Sequence, residues 1–219
     1  MRYSIILASG SPRRRELMDR LGCRYYCIPS SKEEDMSGHD PKAMVEMLAA
    51  MKAEDIAGKL IDNTLDKDNL KYCEAVPDTK ACVIIGCDTV VAIDGAILGK
   101  PSDKDDAFRM IKSYTGRTHH VHTGVCILII ENNSIVKKIN YSVSTAVRVV
   151  NMTDAEILSY VETGEPMDKA GAYAIQGLFC PYIDSIEGDY YNIVGYPIAS
   201  IYRTFRKLKI DLASGKCLS

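Results

Sequence analysis

Short apolar runs alternate along the chain with stretches whose apolar residues recur every three or four positions, a pattern that predicts an α/β protein. Ile5-Ile6-Leu7-Ala8 ends in Ser9-Gly10-Ser11-Pro12, which reads as a buried strand and a turn. Ser11 then suits a helix N-cap and Pro12 the first helical position, with Leu17, Met18 and Leu21 on one face and Gly22 as the stop. A second strand is expected over 25–29. A helix over 41–60 follows from the spacing of Met44, Val45, Leu48 and Ile56. The charged stretch 62–80 reads as a solvated surface excursion. Residues 83–91 form a strongly apolar strand interrupted by one acid, Asp88. A helix is expected over 102–114, capped by Ser102, with Asp103, Asp105 and Asp106 at its positive end. Residues 121–130 and 135–150 read as paired strands joined by a turn at 131–134. Thr153-x-x-Glu156 is a capping box, and a last helix follows Pro197. No repeat or linker divides the 219 residues, so one domain over 1–219 is expected.

Composition narrows the function classes. The net charge of −2 points away from nucleic acid and anionic lipid, so any basic site must be local. No apolar run approaches the roughly 20 residues of a membrane span. None of the eight cysteines forms a Cys-x-x-Cys pair, which removes zinc-ribbon and thioredoxin-like readings. Several cysteines sit in apolar runs, as buried thiols do, and no export signal precedes them; the expected location is a reducing cytoplasm.

The loop Ser9-Gly10-Ser11-Pro12-Arg13-Arg14-Arg15 carries the first candidate chemistry. A strand-to-helix turn offers free N–H groups and the positive end of a helix dipole, and arginine can grip phosphate with two donors. Three consecutive arginines cannot all face one ligand. An ordinary helix cap with solvated arginines is the alternative. Residues 95–101 resemble a phosphate-binding P-loop but fail its spacing, since three residues separate the glycines and no Ser or Thr follows Lys100. That segment reads as a hairpin turn, with Lys100 left as a phosphate ligand candidate. Asp88 interrupts a strand that otherwise wants burial, so it reads as a general base, a metal ligand or a solvated strand-end acid. Glu33-Glu34-Asp35 offers oxygens that suit magnesium or manganese, or is a plain charged loop. On a strand, His120 and His122 share a face and His119 points away, which argues against a zinc site. The glycine-rich 165–177 segment can bring backbone close to a ligand, and within it Asp168 and Lys169 either pair or serve a site.

Taken in order, several blocks resemble the Maf proteins, septum-formation-associated nucleoside triphosphate pyrophosphatases. They are 7–14, Gly86-Cys87-Asp88-Thr89-Val90-Val91, Leu98-Gly99-Lys100-Pro101, 115–125, Asp168-Lys169-Ala170-Gly171-Ala172-Tyr173 and 188–197. Each block is weak alone, and the ordered set is specific. The resemblance implies a Maf and inosine-triphosphatase-like α/β fold, with an elongated, twisted mixed sheet flanked by helices around a central nucleotide cleft. It implies hydrolysis of a nucleoside triphosphate to the monophosphate and pyrophosphate with a divalent cation, Mg2+ or Mn2+. By position, Asp88 matches the proton acceptor, and Glu33 with Asp88 the metal ligands. Ser9, Arg14, Lys52, Lys100 and Lys169 match polar and basic substrate-binding positions. Arg13, Thr89 and Gln176 match the branch acting on dTTP and UTP rather than on 7-methyl-GTP, and Arg15 is expected to be a solvated neighbour. The implied partner is the nucleotide, with a homodimer left open. A sugar-nucleotide nucleotidyltransferase and a non-catalytic nucleotide-binding regulator of division are the rival readings. The stretch 62–80 is longer than in many members, and Tyr196 stands where leucine is common.

Overall fold

The computed structural model describes residues 2–32, 40–66, 70 and 80–218. The first apolar run forms β1 (Ser4–Leu7), and Pro12 opens α1 (Pro12–Arg20). Next come β2 (Tyr25–Cys27), α2 (Pro41–Ile61), β3 (Ala81–Ile93) and the short β4 (Ala96–Leu98). They are followed by α3 (Lys104–Tyr114), β5 (Thr118–Glu131), β6 (Ser134–Val149) and α4 (Asp154–Glu162). The last elements are β7 (Ile183–Glu187), α5 (Tyr190–Val194) and α6 (Ile198–Lys207). The hydrophobic pattern does not reveal β7 or α5. Both are five residues long, too short for a period to register, and β7 is a largely exposed edge strand.

Local chemistry explains most boundaries. The Asp40 carboxylate caps α2 by accepting from the N–H groups of Lys42 and Ala43. At α3 the cap is Asp103, not Ser102: its carboxylate accepts from Asp106 N at 2.7 Å, and Ser102 lies one position outside. The Thr153–Glu156 capping box is present at α4. Asn132 and Asn133, both at positive φ (49° and 60°), make the tight β5–β6 turn that right-twisted strands favour. Leu21, expected on the buried face of α1, is 39% exposed because the helix ends at Arg20. Arg14 is buried on that helix instead, one turn before Leu17 and Met18. Of the 62–80 excursion, 67–69 and 71–79 lie outside the described residues.

The strands form one mixed sheet in the order β2-β1-β3-β5-β6-β7, with β4 also paired to β3. β1 runs parallel to β2 and β3, and the remaining pairs are antiparallel. The two-residue period of β3 and β5 divides the core. Cys82, Ile84, Cys126, Leu128 and Ile130 face α2 and its Ala49, Ala53, Ile56 and Ala57. On the other face, Val83, Ile85, Val125 and Ile127 carry Leu17 and Met18 of α1 and Ile201 and Phe205 of α6. Farther along that face, Val91, Val121 and Val147 carry α3 and α4 through Ile111, Tyr114, Ile157 and Tyr160. Among the described residues, no helix is long and apolar enough to cross a membrane. The seven described cysteines are thiols without disulfide bonds.

Two features of β3 place the site. β5 pairs with it from Ala81 to Ala92. On its other edge β1 covers Cys82–Ile85 and β4 covers Val91–Ile93, so the edge from Gly86 to Val90 lies open between them. This is also where the parallel strand β1 ends, the usual position of a ligand crevice in an open α/β sheet. Second, α2 lies directly on the sheet at two glycines next to the acid: Gly86 in β3, two residues before Asp88, and Gly124 in β5, the partner of Asp88. A Cβ at Gly86 would stand 2.3 Å from the Ala49 carbonyl oxygen, and one at Gly124 would stand 1.9 Å from that of Val45. Backbone cannot yield cheaply there. Gly86→Ala and Gly124→Ala should each lower the unfolding free energy by about 1–3 kcal/mol. The measure is a urea titration, in which the midpoint falls at constant slope; unchanged midpoints in both variants would show that α2 is not seated this tightly.

Candidate active site

A cleft of about 780 Å³ opens at the uncovered β3 edge, within the size range of small-molecule sites. Its lining includes Arg13, Arg14, Lys52, Asp88, Thr89, Lys100, Lys169 and Gln176. Residues far apart in sequence, and from both faces of the sheet, therefore meet in one place. Five basic side chains line it against two carboxylates, Asp88 and Asp168, in a chain whose net charge is −2. The rest of the lining includes an apolar and aromatic wall of Val91, Val121, Tyr173, Ile175 and Ile193.

Asp88 leaves β3 on the α2 side, where its Oδ1 accepts from Lys52 Nζ at 2.5 Å. Both side chains are largely buried, at 10% and 14% exposed, so this pair is shielded far better than a surface ion pair. Asp88 is thus a mid-strand acid with a partner, not a solvated strand end. The neighbouring Cys87 faces the core, and burial pushes its thiol up to about 11, so it fills space rather than acting as a nucleophile.

Arg14, 8% exposed, reaches the same edge from the opposite face. Its Nε donates to Gly195 O at 2.7 Å, Nη1 to Ser9 Oγ at 3.0 Å and Nη2 to Thr89 Oγ1 at 3.1 Å. All three acceptors are neutral, so the guanidinium charge stays available to an anion in the cleft. Ser9 is turned beneath Arg14 and does not line the cleft, so its hydroxyl acts on the arginine. From Thr89 a hydroxyl chain continues: Thr89 Oγ1 lies 2.9 Å from Thr123 Oγ1, and Thr123 donates to Asn192 O at 2.9 Å. Asn192, fully buried, donates in turn to Val121 O and Thr145 Oγ1. Sequence reasoning missed this support; its one signal is a lone amide in the otherwise apolar and aromatic Tyr190–Val194 segment.

The other predicted residues are placed as follows. Arg13 is half-buried, and burial pulls its guanidinium below the ordinary arginine value while the nearby Asp168 opposes that shift. Lys169 pairs with Asp168 and holds that carboxyl below the usual range. Lys100 and Gln176 are exposed at the lining. Arg15 is not a solvated neighbour; it is half-buried and lines a separate hollow beside β2 with Arg24 and Tyr25. Glu33, Glu34 and Asp35 lie outside the described residues. The segment just before them is tied to α2: Ser30 donates to Asp55 Oδ2 at 2.7 Å, and Lys59 donates to Ser31 Oγ at 2.9 Å.

His120 and His122 share a face, with rings 6.0 Å apart, and His122 bonds Ser144. Among the described residues no three His, Cys, Asp or Glu side chains cluster as a ready metal cage. His119 points the other way, fully buried, with Nε2 2.8 Å from the hydroxyl of the cleft residue Tyr173.

The Maf-like protein family model matches residues 4–208. A dTTP/UTP pyrophosphatase of Agathobacter rectalis is 40% identical over 208 residues, covering 95% of this chain and 98% of that protein. One of Thermococcus gammatolerans is 41% identical over 210 residues, covering 96% and 99%. Among solved structures, the Staphylococcus aureus Ham1 protein aligns with a TM-score of 0.45 at 12% identity, over 94% of this chain and 100% of that one.

Burial lowers His119 from an ordinary 6.5 to about 4, so it is neutral in the folded protein at physiological pH. Its contribution is therefore complete above pH 6.5. As pH falls below that, the unfolded chain takes up a proton that the folded one refuses. Stability should drop by up to about 1.4 kcal/mol per pH unit down to pH 4 from this group. Urea midpoints of His119→Gln measured between pH 7 and pH 4 should show a shallower decline than those of the natural chain. Parallel declines would refute the assignment.

Proposed function

Because the chain belongs to the Maf family, we propose that it is a nucleoside triphosphate pyrophosphatase that converts dTTP and UTP to the monophosphate and pyrophosphate. The observation that carries this reading is the largely buried Lys52–Asp88 pair at the open β3 edge, set beside a buried arginine whose acceptors among the described residues are neutral. The names of the Agathobacter and Thermococcus relatives support the substrate class.

In this reading the triphosphate lies across the basic lining and the base against the Tyr173–Gln176 wall. Lys52 pairs with Asp88 through Oδ1, and Oδ2 is the oxygen assigned to orient and deprotonate water. Water oxygen attacks the α-phosphorus, the α–β anhydride bond breaks, the water proton passes to Asp88, and pyrophosphate departs. Arg14, Lys100 and Lys169 neutralise charge on the transferred and departing oxygens. Arg13, Thr89 and Gln176 sort the nucleotide. A divalent cation fits Asp88 at the basic cleft, since Mg2+ commonly takes one or two carboxylates together with substrate phosphates; the family resemblance adds Glu33 as a second carboxylate. When bound, it would supply further charge neutralisation on the triphosphate. The nucleotide is the partner, and a cytoplasmic location follows from where such triphosphates are held. The slight negative net charge supports a reading without nucleic acid or membrane binding.

Asp88→Asn should lower turnover by about 10²–10⁴-fold while nucleotide binding, followed by calorimetry, persists. A variant that turns over at the natural rate would remove Asp88 from the chemistry. Product analysis with dTTP, UTP, CTP, GTP and 7-methyl-GTP, in Mg2+ or Mn2+, tests the reaction itself. Equal monophosphate and pyrophosphate with water alone is expected. A requirement for a sugar phosphate would establish a nucleotidyltransferase, and binding without pyrophosphate release a regulator. Preference for 7-methyl-GTP would overturn the role given to Arg13, Thr89 and Gln176.

A further inference from the structure

Gln176 sits in a short stretch, 174–178, that has almost no regular structure and yet forms one wall of the cleft. Something must hold it, because a mobile wall selects nothing. Glu165 does not line the cleft but reaches this stretch from behind. Its Oε2 accepts from Leu178 N at 3.0 Å, and its Oε1 accepts from Tyr160 Oη at 2.8 Å. The Tyr160 hydroxyl in turn accepts from Ala174 N at 3.3 Å. One carboxylate and one phenol thereby pin both ends of the stretch that carries Gln176. Tyr160 is 3% exposed on the buried face of α4, so the strap is anchored to a helix packed in the core. The carboxylate also sits where a side chain at Gly177 would be: a Cβ there would lie 2.1 Å from Oε2. The wall is thus closed down on Glu165 at the residue next to Gln176.

We propose that Glu165 is a positioning residue for base selection: strapped through Tyr160, it fixes the 174–178 wall and thereby aims Gln176 at the nucleobase. The inference rests on the reading above, in which Gln176 sorts the nucleotide. It assigns Glu165 no contact with substrate, and the Lys52–Asp88 pair belongs to different elements. The expected signature is loss of discrimination with chemistry retained.

The test compares kcat and KM for dTTP, UTP, CTP and GTP in the natural chain and in Glu165→Ala, Glu165→Gln, Tyr160→Phe and Gln176→Ala. Glu165→Ala should raise KM for dTTP about tenfold and lower the dTTP-to-CTP ratio of kcat/KM by a similar factor, with kcat for dTTP within about twofold. Glu165→Gln keeps an oxygen for Leu178 N and a group for the Tyr160 hydroxyl, so it should restore most of the ratio. Tyr160→Phe should move the ratio in the same direction as Glu165→Ala, by less, and provides the readout should Glu165→Ala fail to fold. If Gln176→Ala collapses discrimination while Glu165→Ala and Tyr160→Phe leave the ratio unchanged and lower only the melting temperature, the strap is structural and the inference fails. If Gln176→Ala itself leaves discrimination intact, the role assigned to Gln176 fails, and the inference with it.

Discussion

The contact between α2 and the sheet at Gly86 and Gly124 is the constraint on which the site depends. Two strands present no side chain at adjacent places, and a helix rich in small residues, Ala49, Ala50 and Ala53 among them, settles onto their backbones. That depth of seating lets Lys52, on the same helix, reach an acid rooted two residues beyond Gly86. An ion pair so shielded is favourable only when the geometry is good, because desolvating both charges is costly. Here the geometry is supplied by backbone packing, so the pair is preorganised before any ligand arrives. The same carboxylate could not serve beneath a more loosely seated helix, since Lys52 would swing into solvent and leave Asp88 buried and unmatched.

The second condition is the interruption in strand pairing. β3 is thirteen residues long, while β1 and β4 together cover only its two ends on one side. A continuous neighbour over Gly86–Val90 would have separated α2 from α1 by a closed sheet. With that edge open, Asp88 on one face and Thr89 on the other contribute to one cleft, and Arg14 can bond Thr89 from the α1 side. Consecutive residues on a strand point oppositely, so a site that uses both must lie at an edge.

Much of this was legible in the sequence. The apolar periods gave the major strands and helices, and the acid inside an apolar strand singled out Asp88 because burial demands a partner for charge. What the pattern could not give was which partner. Lys52 lies 36 positions away on an amphipathic helix, where a lysine looks like any other, and only the register of α2 on the sheet joins the two. The three arginines were separable in part: Arg14 does turn inward, but Arg15 is half-buried rather than solvated, because β2 packs alongside α1 and covers it. Ser102 and Asp103 are both good caps, and sequence alone does not choose between neighbours that satisfy the same N–H groups. The Thr123–Asn192 support and the Tyr160–Glu165 strap were invisible for a different reason. Each joins segments with no common period, and each works through backbone groups that carry no sequence signature.

The two ends of the cleft are built on different physical terms. In the proposed reading the triphosphate meets charge supplied several times over, by Arg13, Arg14, Lys100 and Lys169 beside the fixed Lys52–Asp88 pair, and a Coulombic field tolerates small displacements of any one of these four. Around Gln176 the lining is largely uncharged, and in the proposed reading selection there works through hydrogen bonds, which weaken steeply when their angle or length drifts. Redundancy can therefore replace rigidity on one side and not on the other. On that reading the rigidity comes from the supports behind the base wall: Glu165 and Tyr160 behind the 174–178 stretch, and His119 behind Tyr173. In the proposed reading, a cleft so divided holds many triphosphates by charge and still chooses among them by geometry, provided the supports behind the base wall stay closed.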